Sequence, residues 1–100
     1  MTDELLKCSD FVPHIGTDFV IAADDLPALA MTLTSAEPLQ PTKGGNDLRP
    51  PFMLLFRSKN QDVLQQRLFQ LRHAVMGDLD LFLVPSARDA EGVEYCATFN

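Results

Sequence analysis

One hundred residues, 46% of them hydrophobic and 22% charged, bound a single globular domain over residues 1–100 with one core. The formal charge of −6 argues against a nucleic-acid partner, because neutralising phosphates needs a dominant basic surface. The apolar runs are too short for a membrane-spanning helix. The acidic start Met1-Thr-Asp-Glu-Leu-Leu-Lys7 also lacks the basic flank and apolar centre of a secretory leader, so a cytoplasmic protein with no membrane partner is expected.

Along the chain, residues 3–12 allow one or two helical turns with Leu5, Leu6 and Phe11 as an apolar edge, ended by Pro13 and Gly16. Residues 17–23 read as a strand with Phe19 and Ile21 on one face. Asp24-Asp-Leu-Pro27 reads as a turn. Residues 28–37 then alternate, Leu29, Met31 and Leu33 against Thr32 and Thr34, as a half-buried strand returning as a hairpin. Residues 38–51 hold four prolines and two glycines, and the expectation there is a long irregular loop.

Phe52-Met-Leu-Leu-Phe-Arg57 is apolar on both faces and predicts a central strand covered twice. Segment 61–76 supports two readings. Leu64, Leu68, Leu71 and Val75 fall at helical spacing between a capping Asn60 and a closing Gly77. As a strand, Phe69 and Leu71 face in while Gln70 and Arg72 face out. In 79–84, Leu79, Leu81 and Leu83 share a face, and Asp80 gives way to Phe82 on the other, so that strand is expected to end dry on both sides. Pro85 is expected to terminate it, with 85–92 as the turn into a last strand whose Val93, Tyr95, Ala97 and Phe99 point inward. The expected fold is mainly β: about six antiparallel strands closed or half-closed as a small barrel or roll, with a short N-terminal helical segment. Closure hides the edges that such a sheet otherwise exposes.

Phe52–Arg57, Leu71-Arg-His73, Gly77-Asp-Leu-Asp-Leu-Phe-Leu-Val-Pro85 and Gly92–Asn100, with a weaker match over Phe11–Gly16, resemble a family of small, uncharacterised bacterial proteins. Phe82-Leu-Val-Pro85 and Phe99-Asn100 are the most specific parts. In that family the segment around Leu71 looks like a strand entering a hairpin, with an upstream glycine and aromatic. Here Gln66-Arg67-Leu68-Phe69 supplies the aromatic without the glycine. Members of the family are often encoded beside proteins with phage-tail-collar-like domains. The resemblance therefore implies an assembly setting and transfers no catalytic residue.

The chemistry-bearing residues fall into weak patterns. Cys8, Cys96, His14, His73 and Asp78 lack the short spacings of metal ligands. His73 is expected to hydrogen-bond turn backbone and pack its ring on a neighbour. Neither cysteine has a recognisable activating partner, and two cysteines in a chain of this kind are expected to be free thiols. Asp78 and Asp80 read as a turn acid and a solvated strand face, and Lys43-Gly44-Gly45 lacks the spacing of a phosphate loop. No enzyme activity, metal or cofactor is expected.

Charge is segregated. Residues 1–42 carry seven acids against Lys7, residues 43–72 six bases against Asp47 and Asp62, and residues 73–100 five acids against Arg88. This layout predicts pairing of the basic middle with the acidic flanks, within one chain or in a homo-oligomer. Arg57 and Arg72, each at or beside an apolar strand, are candidate clamps for carboxylates. The leading functional expectation is a non-enzymatic protein-interaction or assembly accessory, linked to a phage-tail-like or fibre system, with an unknown protein partner. The alternative is a small-ligand domain using the barrel mouth, with Arg57, Arg72 and His73 as polar contacts.

Overall fold

The computed structural model describes residues 6–40 and 51–99. After a short helix α1 (Cys8–Phe11) and a 3-10 turn (Val12–His14), six strands follow. They are β1 (Asp18–Ile21), β2 (Leu29–Pro38), β3 (Phe52–Ser58), β4 (Arg67–His73), β5 (Gly77–Asp89) and β6 (Gly92–Phe99). They close into a barrel in the order β1-β2-β3-β6-β5-β4, every neighbour antiparallel. One end carries the 22–28 connection, the 59–66 loop and the 90–91 turn. The other carries the N-terminal helical segment and the 74–76 turn.

Two-residue alternation decides which side chains fill the barrel. Phe19 and Ile21, Met31 and Leu33, Phe52, Leu54 and Phe56, Phe69 and Leu71, Leu81 and Leu83, and Val93, Tyr95 and Ala97 are all buried inside. Each large one contributes roughly 1.5–3 kcal/mol by leaving water. Phe11 plugs the open end, its ring 5.9 Å from both Phe52 and Phe99, which stack on each other at 4.4 Å. The Asp10 carboxylate accepts the Lys7 N–H at 2.8 Å and holds the first turn of α1. Pro13 lies inside the 3-10 turn rather than ending the helix, because a proline early in a helical turn gives up an N–H that has no partner there.

One open reading is settled and several expectations are corrected. Of the two readings of segment 61–76 the strand holds: residues 61–66 are irregular and β4 pairs with β5 over seven positions. Of the residues at helical spacing Leu68 and Val75 are exposed in the barrel, whereas Phe69, Leu71 and His73, at strand spacing, are all inside. Pairing on both sides overrides local propensity. Pro85 does not end β5. The strand continues to Asp89 through a bulge between Pro85 and Ala87, a place where the missing N–H breaks no ladder bond. Phe82 is 51% exposed, so β5 is not dry on both faces. β3 likewise buries only its inner face; Met53, Leu55 and Arg57 are half-buried. The proline- and glycine-rich stretch 38–51 lies, over residues 41–50, outside the described residues. At its base the Leu39 N–H donates to the Pro51 carbonyl at 2.9 Å.

Candidate functional site

His73 ends β4 on the inner face and is only 8% exposed. Its Nδ1 accepts the N–H groups of Val75 at 3.0 Å and Met76 at 3.1 Å, so that nitrogen carries no proton. The proton is therefore on Nε2, which lies 2.9 Å from the Thr17 hydroxyl. That hydroxyl in turn donates to the His14 carbonyl at 2.6 Å. The ring packs 4.3 Å from Phe19 and edge-on to His14 at 4.6 Å. Burial, and secondarily the nearby His14, push the His73 pKa below its ordinary 6.5. Both nitrogens are engaged with protein groups, and this histidine holds a turn and the N-terminal segment together.

Arg57 and Arg72 are not its neighbours in a common site. Arg57 lies near the opposite end of the barrel on the outer face of β3 and pairs with Asp89. Asp89 also accepts the Glu91 N–H at 2.8 Å, and this bond, with Arg57 second, holds its carboxyl below the usual range. Arg72 is on the outer face of β4, 3.8 Å from Asp78 directly across on β5.

A third arginine escaped the sequence reading. Arg67 donates to Asp25 through both terminal guanidinium nitrogens, at 2.8 and 2.9 Å, and lies 4.8 Å over the Phe69 ring. That hydrogen bonding holds the Asp25 carboxyl down at about 2. No local pattern signals a contact spanning 42 positions. Among the described residues, Arg57, Arg67 and Arg72 of the basic middle thus each face an acid of the flanks within the chain, Asp89, Asp25 and Asp78.

At the barrel mouth, a cavity of about 240 Å³ is lined by Leu26, Pro27, Ala28, Leu29, Asn60, Asp62 and Leu64. None of Arg57, Arg72 and His73 reaches it. Its polar atoms mostly serve the 59–66 loop itself. Asn60 Oδ1 accepts the Asp62 N–H at 2.8 Å, and the Leu64 N–H donates to the Tyr95 hydroxyl at 2.9 Å. Among the described residues, no cluster of three or more His, Cys, Asp or Glu could hold a metal. Cys8 and Cys96 are free and half-buried.

The outer wall of β4 and β5 carries the remaining distinctive feature. Leu68 and Phe82, 62% and 51% exposed, are direct cross-strand partners there. Below them Gln70 faces Asp80, and Arg72 faces Asp78. The two apolar side chains thus form one contiguous surface, bounded on one side by polar groups.

No curated protein and no solved structure matches this chain significantly. A family profile does, over residues 6–99, which takes in the whole barrel and its helical plug. The chain belongs to the family described as a domain of unknown function, DUF6916.

Proposed function

We propose that this protein is a non-enzymatic interaction or assembly accessory of a phage-tail-like or fibre system. The observation that carries the reading is the Leu68–Phe82 pair. Two large apolar side chains share one exposed wall of a barrel whose core already holds fifteen buried apolar residues. Scattered exposed apolar residues are ordinary, but an adjacent large pair with a polar border has the make-up of an interface centre. The fibre setting draws its support from the sequence resemblance to proteins encoded beside collar-like ones. The test is calorimetric titration of the purified protein with such a collar-like protein, alongside Phe82→Ser. Saturable binding weakened about tenfold or more by the substitution supports the reading. No heat with the collar-like protein, or binding indifferent to Phe82, refutes it.

The mouth cavity supports a second reading, a small-ligand domain for a compact apolar molecule. It requires that a metabolite raise the melting temperature and that Ala28→Trp, which fills the cavity, abolish the shift.

A further inference from the structure

The β4–β5 wall has a pattern that an unspecified partner does not require. Its outward side chains form three layers: Leu68 beside Phe82, Gln70 beside Asp80, and Arg72 beside Asp78. A two-fold axis laid along the strand direction, between β4 and β5 and in the plane of contact, swaps the two columns and keeps each layer at its own height. Leu68 then meets the second copy's Phe82, Gln70 its Asp80, and Arg72 its Asp78. Each layer complements itself: apolar on apolar, amide on carboxylate, guanidinium on carboxylate. An isologous contact needs this property, and the same cross-strand pairs that stabilise the sheet within one chain supply it here.

Three further observations agree. Among the described residues, neither Gln70 nor the Asp80 carboxylate has a side-chain partner, so both are available across a contact. The Arg72–Asp78 pair is long at 3.8 Å, and both side chains are well exposed, leaving donors and acceptors for a second pairing. Finally, β4 and β5 pair with each other over seven positions, from Arg67 with Leu83 to His73 with Gly77, so the three layers stand on one continuous, registered pair of strands. We infer that this chain pairs with a second copy of itself through the β4–β5 wall, Phe82 seating against Leu68 across a two-fold axis. This inference rests on the reading of the wall as an interaction surface. The facing walls are convex, so the contact is small and the dimer depends on concentration.

The experiment is sedimentation equilibrium on the full chain from about 1 µM to about 1 mM, with four samples: wild type, Phe82→Ser, Arg72→Asp and Asp78→Arg. The wild-type mass is expected to climb toward that of a dimer, and Phe82→Ser to weaken association about tenfold or more. Arg72→Asp and Asp78→Arg each set like charges face to face and are expected to weaken self-association. Mixed in equal amounts they restore opposite charges at both ends of the layer, so a heterodimer should form. A monomeric wild type throughout, a dimer indifferent to Phe82→Ser, or a mixture that fails to recover would overturn the inference. A monomer whose Phe82→Ser variant still loses a collar-like partner would end the self-pairing and leave the interaction reading standing. A dimer that ignores every collar-like protein would do the reverse.

Discussion

Gly92 is the position where a single methyl group should do most damage. It opens β6 with φ +137°, and a Cβ built on it would lie 1.8 Å from the Ser58 carbonyl oxygen, 2.8 Å from its carbon and 3.0 Å from the Lys59 Cα. All three are backbone atoms, and Ser58 is fully buried, next in the ladder where it pairs with Val93. No side-chain rotation relieves such a clash. Reaching ordinary contact at 3.4 Å requires the ends of β3 and β6 to part by about 1.6 Å, the difference from 1.8 Å. The disallowed backbone angle costs about 1–3 kcal/mol, and each ladder bond lost at the separation adds about 1 kcal/mol. Gly92→Ala is therefore expected to lose about 3–4 kcal/mol, a large share of the roughly 5–15 kcal/mol that holds a domain together. In a domain of this size that is a drop of about 12–30 °C in melting temperature. Gly77→Ala supplies the control. Its φ is +80°, but nothing lies within 4 Å of the new methyl, so only the left-handed backbone penalty of about 1–2 kcal/mol applies. Urea denaturation of both variants, followed by circular dichroism, measures the difference. Equal losses, or a Gly92→Ala loss under about 1 kcal/mol, would show that the 58–59 and 91–92 turns do not approach as closely as described.

Three other outcomes are expected. Because His73 is held neutral, the unfolded chain takes up its proton first. Stability should then be level above pH 6.5 and fall as pH drops from 6.5 toward the lowered folded value. In His73→Phe that acid slope should flatten, while stability at pH 8 drops by about 1–3 kcal/mol for the turn N–H groups left unmatched; an unchanged slope in urea titrations across pH would count against this. Tyr95→Phe removes the hydroxyl that accepts the Leu64 N–H, and about 1 kcal/mol of stability should go with it. Hydrogen exchange at the Leu64 amide should speed up, and an unaltered rate would place the loop's anchor elsewhere. The Asp25 carboxyl should titrate near 2 by NMR and return toward its ordinary 3.8 in Arg67→Met; no movement would mean the bidentate pair is not formed in solution.

The strands were legible because their inward residues alternate. Phe19 with Ile21, Met31 with Leu33, and Val93 through Ala97 announce one buried face each, and the structure buries them. Segment 61–76 was ambiguous for a physical reason: leucines at 64, 68 and 71 satisfy a helical period by spacing alone, and only pairing with β1 and β5 selects the strand. Pro85 and Phe82 misled in opposite directions. A bulge absorbs a proline without ending a strand, and an apolar side chain at an outward position stays outward whatever its chemistry. The candidate residues Arg57, Arg72 and His73 were legible as charged or titratable neighbours of strands. Their separation was not, because ring order puts Arg57 on β3 and strand phase puts Arg72 and His73 on opposite faces of β4.

Closure of the barrel connects these points. Its narrowest seam joins β1 to β4 by two register pairs and the Ala22 N–H bond to the Gln70 carbonyl, against seven pairs between β4 and β5. Beyond the last pair, Val20 with Arg72, the seam is continued by side chains: His73 packs at a tilt on Phe19 and bonds Thr17. Deleting the His73 contacts should therefore loosen β1 and the plug before any other part of the ring. His73 sits where it does because a four-residue strand cannot close the ring with backbone bonds alone. With the ring shut, β4 and β5 pair with each other over seven positions, while β1 covers β4 only at Leu71 and Arg72 and β6 covers β5 only from Val84 to Asp89. On that wall the largest exposed apolar groups are Leu68 and Phe82, so the interior histidine completes the seam where β1 falls short while the exterior pair is left facing solvent.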